Sequence, residues 1–349
     1  MAVIDTRLDE LDLALINALQ LSPRAPWSAL AGPLGVDAAT LSRRWRRMQD
    51  AGVAWVSCYP GQALAEHGIM AFVQIDCTPM DLEETAAAIA THPHASAVEL
   101  VAGSHNLLLT VIATGLDALT EYVLRLGRIP AIRSMKTHLV QHLYQEGSNW
   151  RADSLSPEQH REVAAAAPGG VFRTGPLGPE EQQLMLALGP DGRRPVIELA
   201  QQLDRPESSV RRQLSALLHS GRAALRCEAA LPYTGWRTTA TLWLTAPPHT
   251  RAAAASAIGR QRETRMCATT VSDADLISVA LFRGLDGVAE YESRLATAEP
   301  TLRVRERAVT LRWIKRAGRL LDPDGRSIGF VPMSVWESSA PVEAGPDPR

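Results

Sequence analysis

One stretch of this chain is written twice. Residues 8 to 58 laid over 177 to 227 at a constant shift of 169, without a gap, give thirteen identical pairs. Among them are Leu15/Leu184, Leu19/Leu188, Pro26/Pro195, Leu30/Leu199, Arg43/Arg212, Gly52/Gly221 and Cys58/Cys227. The shift returns downstream, where Gly115-Leu116-Asp117 and Glu121-Tyr122 fall on Gly284-Leu285-Asp286 and Glu290-Tyr291. The repeating unit is therefore a module of about 150 residues with two parts, and the chain must fold as two such modules.

Within the first unit, Leu11, Leu15, Ile16 and Leu19 recur at helical steps behind Asp9. A second short helix opens at Pro26 and stops at Gly35, and a third is capped by Asp37 and runs to Gln49. Three short helices with a tight glycine turn between the last two form a helix-turn-helix. On the third helix Leu41, Trp45 and Met48 take the inner stripe, which leaves Arg43, Arg44, Arg46 and Arg47 on a face free to meet a partner. Ala39, Thr40, Ser42 and Arg43 stand where base edges would be touched, and Arg44, Arg46 and Arg47 where guanine edges or phosphates would be. A solvated helix face is the bland alternative.

The text Leu8-Asp9-Glu10-Leu11-Asp12, Leu34-Gly35-Val36, Thr40-Leu41-Ser42-Arg43-Arg44 and Met48-Gln49-Asp50-Ala51-Gly52-Val53 resembles the winged helix-turn-helix of the Lrp/AsnC family of bacterial transcription factors. The resemblance implies a βαββαβ effector domain next. Alternation at Ile69, Ala71, Val73 and Ile75 predicts a strand, Asp81 to Thr91 a helix, and Ala97 to Ala102 and Leu107 to Ala113 a hairpin pair. A helix at Leu116 to Leu126 and a strand at Ile132 to Leu143 complete the ferredoxin-like order. By the resemblance, the effector pocket lies around the hairpin turn Gly103-Ser104-His105-Asn106, with Asn106 in place of the family's acidic residue. A plain hairpin turn without ligand is the alternative.

The second unit repeats the plan with drift. Its third helix keeps Ser208, Ser209, Arg211 and Arg212, but Ser215 and Ala216 replace Arg46 and Arg47, so fewer phosphates could be neutralised. Strand Thr239 to Thr245, helix Pro248 to Arg262 and a hairpin across Ser272-Asp273-Ala274-Asp275 follow, with Asp275 restoring the acidic step. If both pockets exist they should differ in charge and in ligand.

The expected fold is α+β: helix-turn-helix over 1–60 and 177–232, βαββαβ over 61–146 and 233–320, a linker with one short helix over 147–176, and a tail over 321–349 that wraps the surface or is disordered. Alternating Arg303, Arg305 and Arg307 predicts the exposed face of an edge strand, within a basic set continued by Arg312, Lys315, Arg316 and Arg319.

Net charge of -2 excludes indiscriminate coating of nucleic acid but permits a local basic surface. Four widely spaced cysteines without a CxxC suggest buried free thiols, and no stretch is long and apolar enough for a membrane, so the cytoplasm is the expected address. No catalytic constellation stands at a telling spacing, and no cofactor is expected. His92, His94, His105, His138 and His142 are the nearest approach to a metal or haem site. The reading is a DNA-binding regulator with double-stranded DNA and an amino acid-like effector as partners, the βαββαβ units associating within one chain or between two. A siroheme-decarboxylase-type enzyme, which pairs two copies of this architecture, and a metal-responsive regulator are the alternatives.

Overall fold

The computed structural model describes residues 7–61, 68–147, 150–165 and 177–336. Most of the linker's small and proline residues, from Pro168 to Pro176, and the tail beyond Trp336 lie outside that range.

The first helix-turn-helix head begins at α1 (Glu10–Leu21), where Asp9 and Asp12 close a reciprocal capping box. Helix α2 (Trp27–Leu34) ends at Gly35, whose φ of 68° turns the chain into α3 (Ala38–Asp50). The second head repeats this as α7 (Pro179–Leu188), α8 (Val196–Leu203) and α9 (Glu207–His219). At the equivalent turn Asp204 adopts φ 51°, a left-handed conformation that a short polar side chain tolerates better than most. The prolines at positions 26, 195 and 206 sit at the N-caps, one step before the helices they start.

Each head contributes a single wing strand, β1 (Ala54–Pro60) and β6 (Ala223–Ala229), and these pair antiparallel with each other. Ser57 faces Arg226, its own counterpart at the repeat shift, so a local two-fold axis passes between them. The pairing shares the cores as well: Cys227 and Ala229 pack with the first head, Cys58 with the second. Arg24 and Arg193, again counterparts, each donate to backbone carbonyls of the other head, Arg24 to Gly192 and Arg194, Arg193 to Pro23 and Ala25. Arg193 also lies 3.9 Å above the Trp27 ring.

The βαββαβ units run β2 (Ile69–Cys77), α4 (Leu82–Ala90), β3 (Ala95–Ala102), β4 (Leu107–Ala113), α5 (Leu116–Leu126) and β5 (Ile132–Gln145), then β7 (Thr238–Thr245), α10 (Arg251–Gly259), β8 (Thr264–Val271), β9 (Leu276–Phe282), α11 (Asp286–Ala298) and β10 (Arg303–Arg316). The short linker helix α6 (Pro157–Ala165) lies between the modules. Helix α10 is shorter than the alanine-rich run suggested, beginning only after Thr250.

The long closing strands cross between units. β5 bonds to β2 in its first half and to β8 in its second; β10 bonds to β7 and then to β3. The result is a hydrogen-bonded circuit of eight strands, β10-β3-β4-β2-β5-β8-β9-β7 and back to β10. One unit's outer face packs under α4 and α5 through Ile89, Tyr122 and Leu126, the other under α10 and α11 through Ile258, Tyr291 and Leu295. Inside, Phe72, Leu108, Trp243, Ile277 and Ala308 form a third layer shared by both units.

One expectation is corrected here, and the tail follows the first of its two alternatives over its described part. β10 is not an edge strand: Arg303, Arg305 and Arg307 are exposed as the alternation suggested, but the strand is bonded to β7 and β3, and Lys315, Arg316 and Arg319 are buried. The described tail residues, up to Trp336, pack against the fold. β11 (Arg319–Leu321) and β12 (Ser327–Phe330) extend the sheet, the Ser327 amide bonds to the Gly52 carbonyl, and Met333 and Val335 are buried.

Candidate functional site

On α3 the inner stripe behaves as the spacing requires, with Leu41, Trp45 and Met48 buried. Asp37 accepts the Thr40 amide at 2.8 Å and its hydroxyl at 2.7 Å, which presents the helix start with Ala39 exposed and Ser42 half-buried. The four arginines divide. Arg43 and Arg46 point outward, Arg43 with a long bond of 3.4 Å to the Thr40 hydroxyl. Arg44 instead bonds Asp9 at 2.7 Å and Asp12 at 2.9 Å, and Arg47 pairs with Asp12. The Asp12 side chain is 0% exposed, so this pair of guanidiniums neutralises a buried carboxylate at the start of α1. The expectation of a wholly free cationic face is corrected to two outward arginines and two that bind α3 to α1.

Burial works against the Asp9 carboxylate, but bonds from Arg44 and the Asp12 amide hold it below its ordinary range, so it is charged at neutral pH. On α9, Ser208, Arg211 and Arg212 are exposed and Ser209 half-buried, and Arg211 pairs one turn back with Glu207.

The two hairpin turns each reach across to the other unit's long strand. In the first, Ser104 Oγ donates to Glu306 Oε1 at 2.6 Å, and His105 Nδ1 lies 3.2 Å from the same oxygen. Gly103 is there because β10 passes too close for a side chain: a Cβ would sit 2.8 Å from the Arg307 carbonyl oxygen. In the second, Asp273 pairs with Lys136 and, at 2.8 Å, with Arg305, while Ser272 Oγ lies 2.8 Å from His138 Nδ1.

Gln74 joins the two. Its Oε1 lies 3.0 Å from His138 Nε2 and its Nε2 donates to Glu306 Oε1 at 2.9 Å. One polar path therefore runs from Ser272 through His138, Gln74 and Glu306 to Ser104, across the internal axis. Trp243, the repeat counterpart of Gln74, lies against both His105 and His138. Burial depresses both histidines below their ordinary pKa despite the opposing pull of Glu306 on His105 and Asp273 on His138. Both rings are thus neutral at pH 7. Among the described residues, His105 Nε2 and Trp243 Nε1 are buried without a hydrogen-bond partner.

Asn106 and Asp275 do a different task. The Asn106 amide bonds the Cys77 N–H and C=O at 2.9 and 2.7 Å, and Asp275 accepts the Ala246 amide at 3.0 Å and pairs with Arg251 at 2.5 Å. Cys77 and Ala246 are counterparts, so both residues brace the exit of the first strand of their unit and face away from the shared network. The two turns do differ in charge, one meeting Glu306 and the other Lys136 and Arg305, yet they form one connected site.

The histidines do not converge: His105 and His138 belong to this network, whereas His92 and His94 pack against Tyr122 on the outer side. Among the described residues no three His, Cys, Asp or Glu side chains are placed to hold a metal ion. All four cysteines are free and buried. Among the described residues no helix is long and apolar enough to cross a membrane.

Sequence reasoning missed Gln74, Lys136, His138, Trp243 and Glu306 as parts of this site. The usable signal was Lys136 and Arg305, cations at the same repeat position of the two closing strands, with the acidic Glu306 next to the second of them.

Residues 8–49 match the AsnC-type helix-turn-helix domain, and residues 70–150 the Lrp/AsnC ligand binding domain. The chain is similar to an uncharacterized HTH-type transcriptional regulator of Pyrococcus horikoshii, 25% identical over 142 residues, which is 40% of this chain and 90% of that protein. It is also similar to the HTH-type transcriptional regulator LrpA of Mycobacterium tuberculosis, 30% identical over 145 residues, 40% of this chain and 94% of the relative. Among solved structures, the siroheme decarboxylase NirDL matches in fold across 88% of this chain and 93% of its own, with a TM-score of 0.57 and 15% identity.

Proposed function

Starting from a chain that is an Lrp/AsnC-type DNA-binding transcriptional regulator, we propose that its two modules act as one internal pseudo-dimer, with α3 as the principal reading helix and the Gln74 network as the effector site. The observation that carries this is the axis through Ser57 and Arg226, which relates the heads and lets one chain address two half-sites. Half-sites would lie about 34 to 36 Å apart or at multiples of that, on an imperfect palindrome, because the two recognition helices differ.

On α3, Ala39, Thr40, Ser42, Arg43 and Arg46 face the duplex, with Arg44 and Arg47 fixing the helix that presents them. On α9, Ser208, Ser209, Arg211 and Arg212 make the weaker contact. The ligand of the network is amino acid-like: Glu306 suits an ammonium group and the Lys136/Arg305 side a carboxylate, with Gly103, Ser104, His105, Ser272 and Asp273 framing it. Asn106 and Asp275 support the frame.

The test is a gel-shift titration on the operator found by genomic footprinting. Arg43→Ala with Arg46→Ala should weaken binding by about 1 to 3 kcal/mol per arginine that reads a base, and reduce the salt slope by about one for each lost phosphate contact. Unchanged affinity would remove α3 from the interface. Amino acids should shift the wild-type midpoint and leave Glu306→Gln unmoved. Enzymatic handling of a tetrapyrrole on this fold is the competing reading, and a strong visible absorption band in protein purified from cells would favour it.

A further inference from the structure

Where β6 lies against the strand circuit, one carboxylate is surrounded by three guanidiniums. Arg226 Nε lies 2.7 Å from Glu228 Oε1, Arg316 Nε 3.0 Å from Oε2, and Arg265 pairs with Oε1 as well. Glu228 and Arg316 are each 4% exposed and Arg265 8%. Glu146, held by the Tyr59 hydroxyl at 2.6 Å, adds one further negative charge acting on Arg226. The buried Glu99, its pKa pushed up to about 7 by burial, also acts on Arg316, and Arg319 adds a positive charge acting on Glu228. Guanidiniums still outnumber the carboxylates that face them where water is nearly excluded, an imbalance that burial penalises unless another anion is present.

Hydrogen bonding points the same way. A guanidinium offers five N–H donors, and a carboxylate accepts about four. Arg226, Glu228, Arg265 and Arg316 all line a cavity of about 20 Å³, enough for one water-sized group. Its other walls come from Leu13, Ile16 and Gln20 of α1 and from Trp150 and Ala152. The repeat counterparts of Arg226 and Arg265 are Ser57 and Ser96, so the cage is built on one side of the axis only.

We propose that this cage binds a single small anion, a halide or the carboxylate end of a small acid, and that the bound anion ties the first reading head to the strand circuit. The ligand would touch α1 of one head, the wing strand of the other, and β8 and β10 together, which makes it a fastener between DNA-reading and effector-binding parts.

Chloride NMR linewidth measured on the full chain is the direct test, with formate as the competing carboxylate. Saturable excess broadening with one site per chain, removed by formate, is expected; broadening that formate leaves in place would restrict the site to halides, and none at all would overturn the proposal. Arg265→Met should abolish the broadening, whereas Glu228→Gln, which removes the internal competitor, should bind about tenfold tighter, a shift of about 1.4 kcal/mol. Full broadening in folded Arg265→Met, or its removal by duplex DNA, would place the chloride on the recognition helices and refute the cage. Should neither variant fold, the wild-type titration with formate and DNA decides alone.

Discussion

Asp12 shows how far one residue's role departs from its local appearance. In sequence it is the third residue of a capping box; in the fold it is also the buried anion on which Arg44 and Arg47 converge. Removing one member of a buried ion pair leaves the other charge unpaired, so Asp12→Asn should destabilise the chain by about 3 to 5 kcal/mol in urea unfolding. Arg43→Ala and Arg46→Ala, which break no such pair, should stay within about 0.5 kcal/mol of wild type.

Lys315 gives a second test. Burial lowers its pKa to about 7, with the Nζ donating to the His92 carbonyl at 2.8 Å. The unfolded chain, where the amine titrates at its ordinary higher value, binds the extra proton between pH 7 and that value, so Lys315 makes stability rise with pH across this window. Below pH 7 both states are protonated and its contribution is flat and unfavourable. The melting temperature of Lys315→Met should therefore gain on wild type most at pH 6 to 7, with the advantage shrinking toward pH 10; a constant difference would refute the burial effect.

At the scale of elements, the α3 helix and its copy α9 diverge where Arg44, Arg46 and Arg47 become Gln213, Ser215 and Ala216, while Ser42 becomes Arg211, which is paired with Glu207. Arg211→Ala with Arg212→Ala should accordingly cost less operator affinity than Arg43→Ala with Arg46→Ala, and equal losses in gel shifts would contradict the asymmetry. The hairpin turns have diverged too. Ser272 occupies the place of Gly103, yet a Cβ at Gly103 would press on the Arg307 carbonyl, so Gly103→Ala should destabilise by about 1 to 3 kcal/mol through that clash, whereas Ser272→Gly should cost stability through the lost bond to His138 Nδ1.

The boundaries of these elements were largely legible. Caps at Asp9 and Asp37, the left-handed Gly35 and alternating β2 are local signals that neighbours a few residues away confirm. Strand β10 was misjudged as an edge because alternation reports which face is wet and carries no information about which strands lie alongside.

For the whole molecule, the crossing of β5 and β10 matters most. Each hands half its length to the opposite unit, so neither unit closes the circuit alone, and the wings and reciprocal Arg24/Arg193 bonds repeat that dependence in the reading heads. A single chain should accordingly sediment as a compact unit of 37.8 kDa and unfold in one transition with both modules together; separate transitions for the modules would break this picture.

By itself the sequence determined the repeat, the helix-turn-helix and βαββαβ order of each copy, and the arginine-rich third helix, because each rests on periodicity, caps and turn residues that act over a few positions. Tertiary structure decided which arginines stay free, how Gln74 links turns from opposite units, and where Arg226, Arg265 and Arg316 gather around Glu228. Those outcomes depend on contacts between residues far apart in the chain, whose desolvation and charge balance exist only once the two copies have closed on each other.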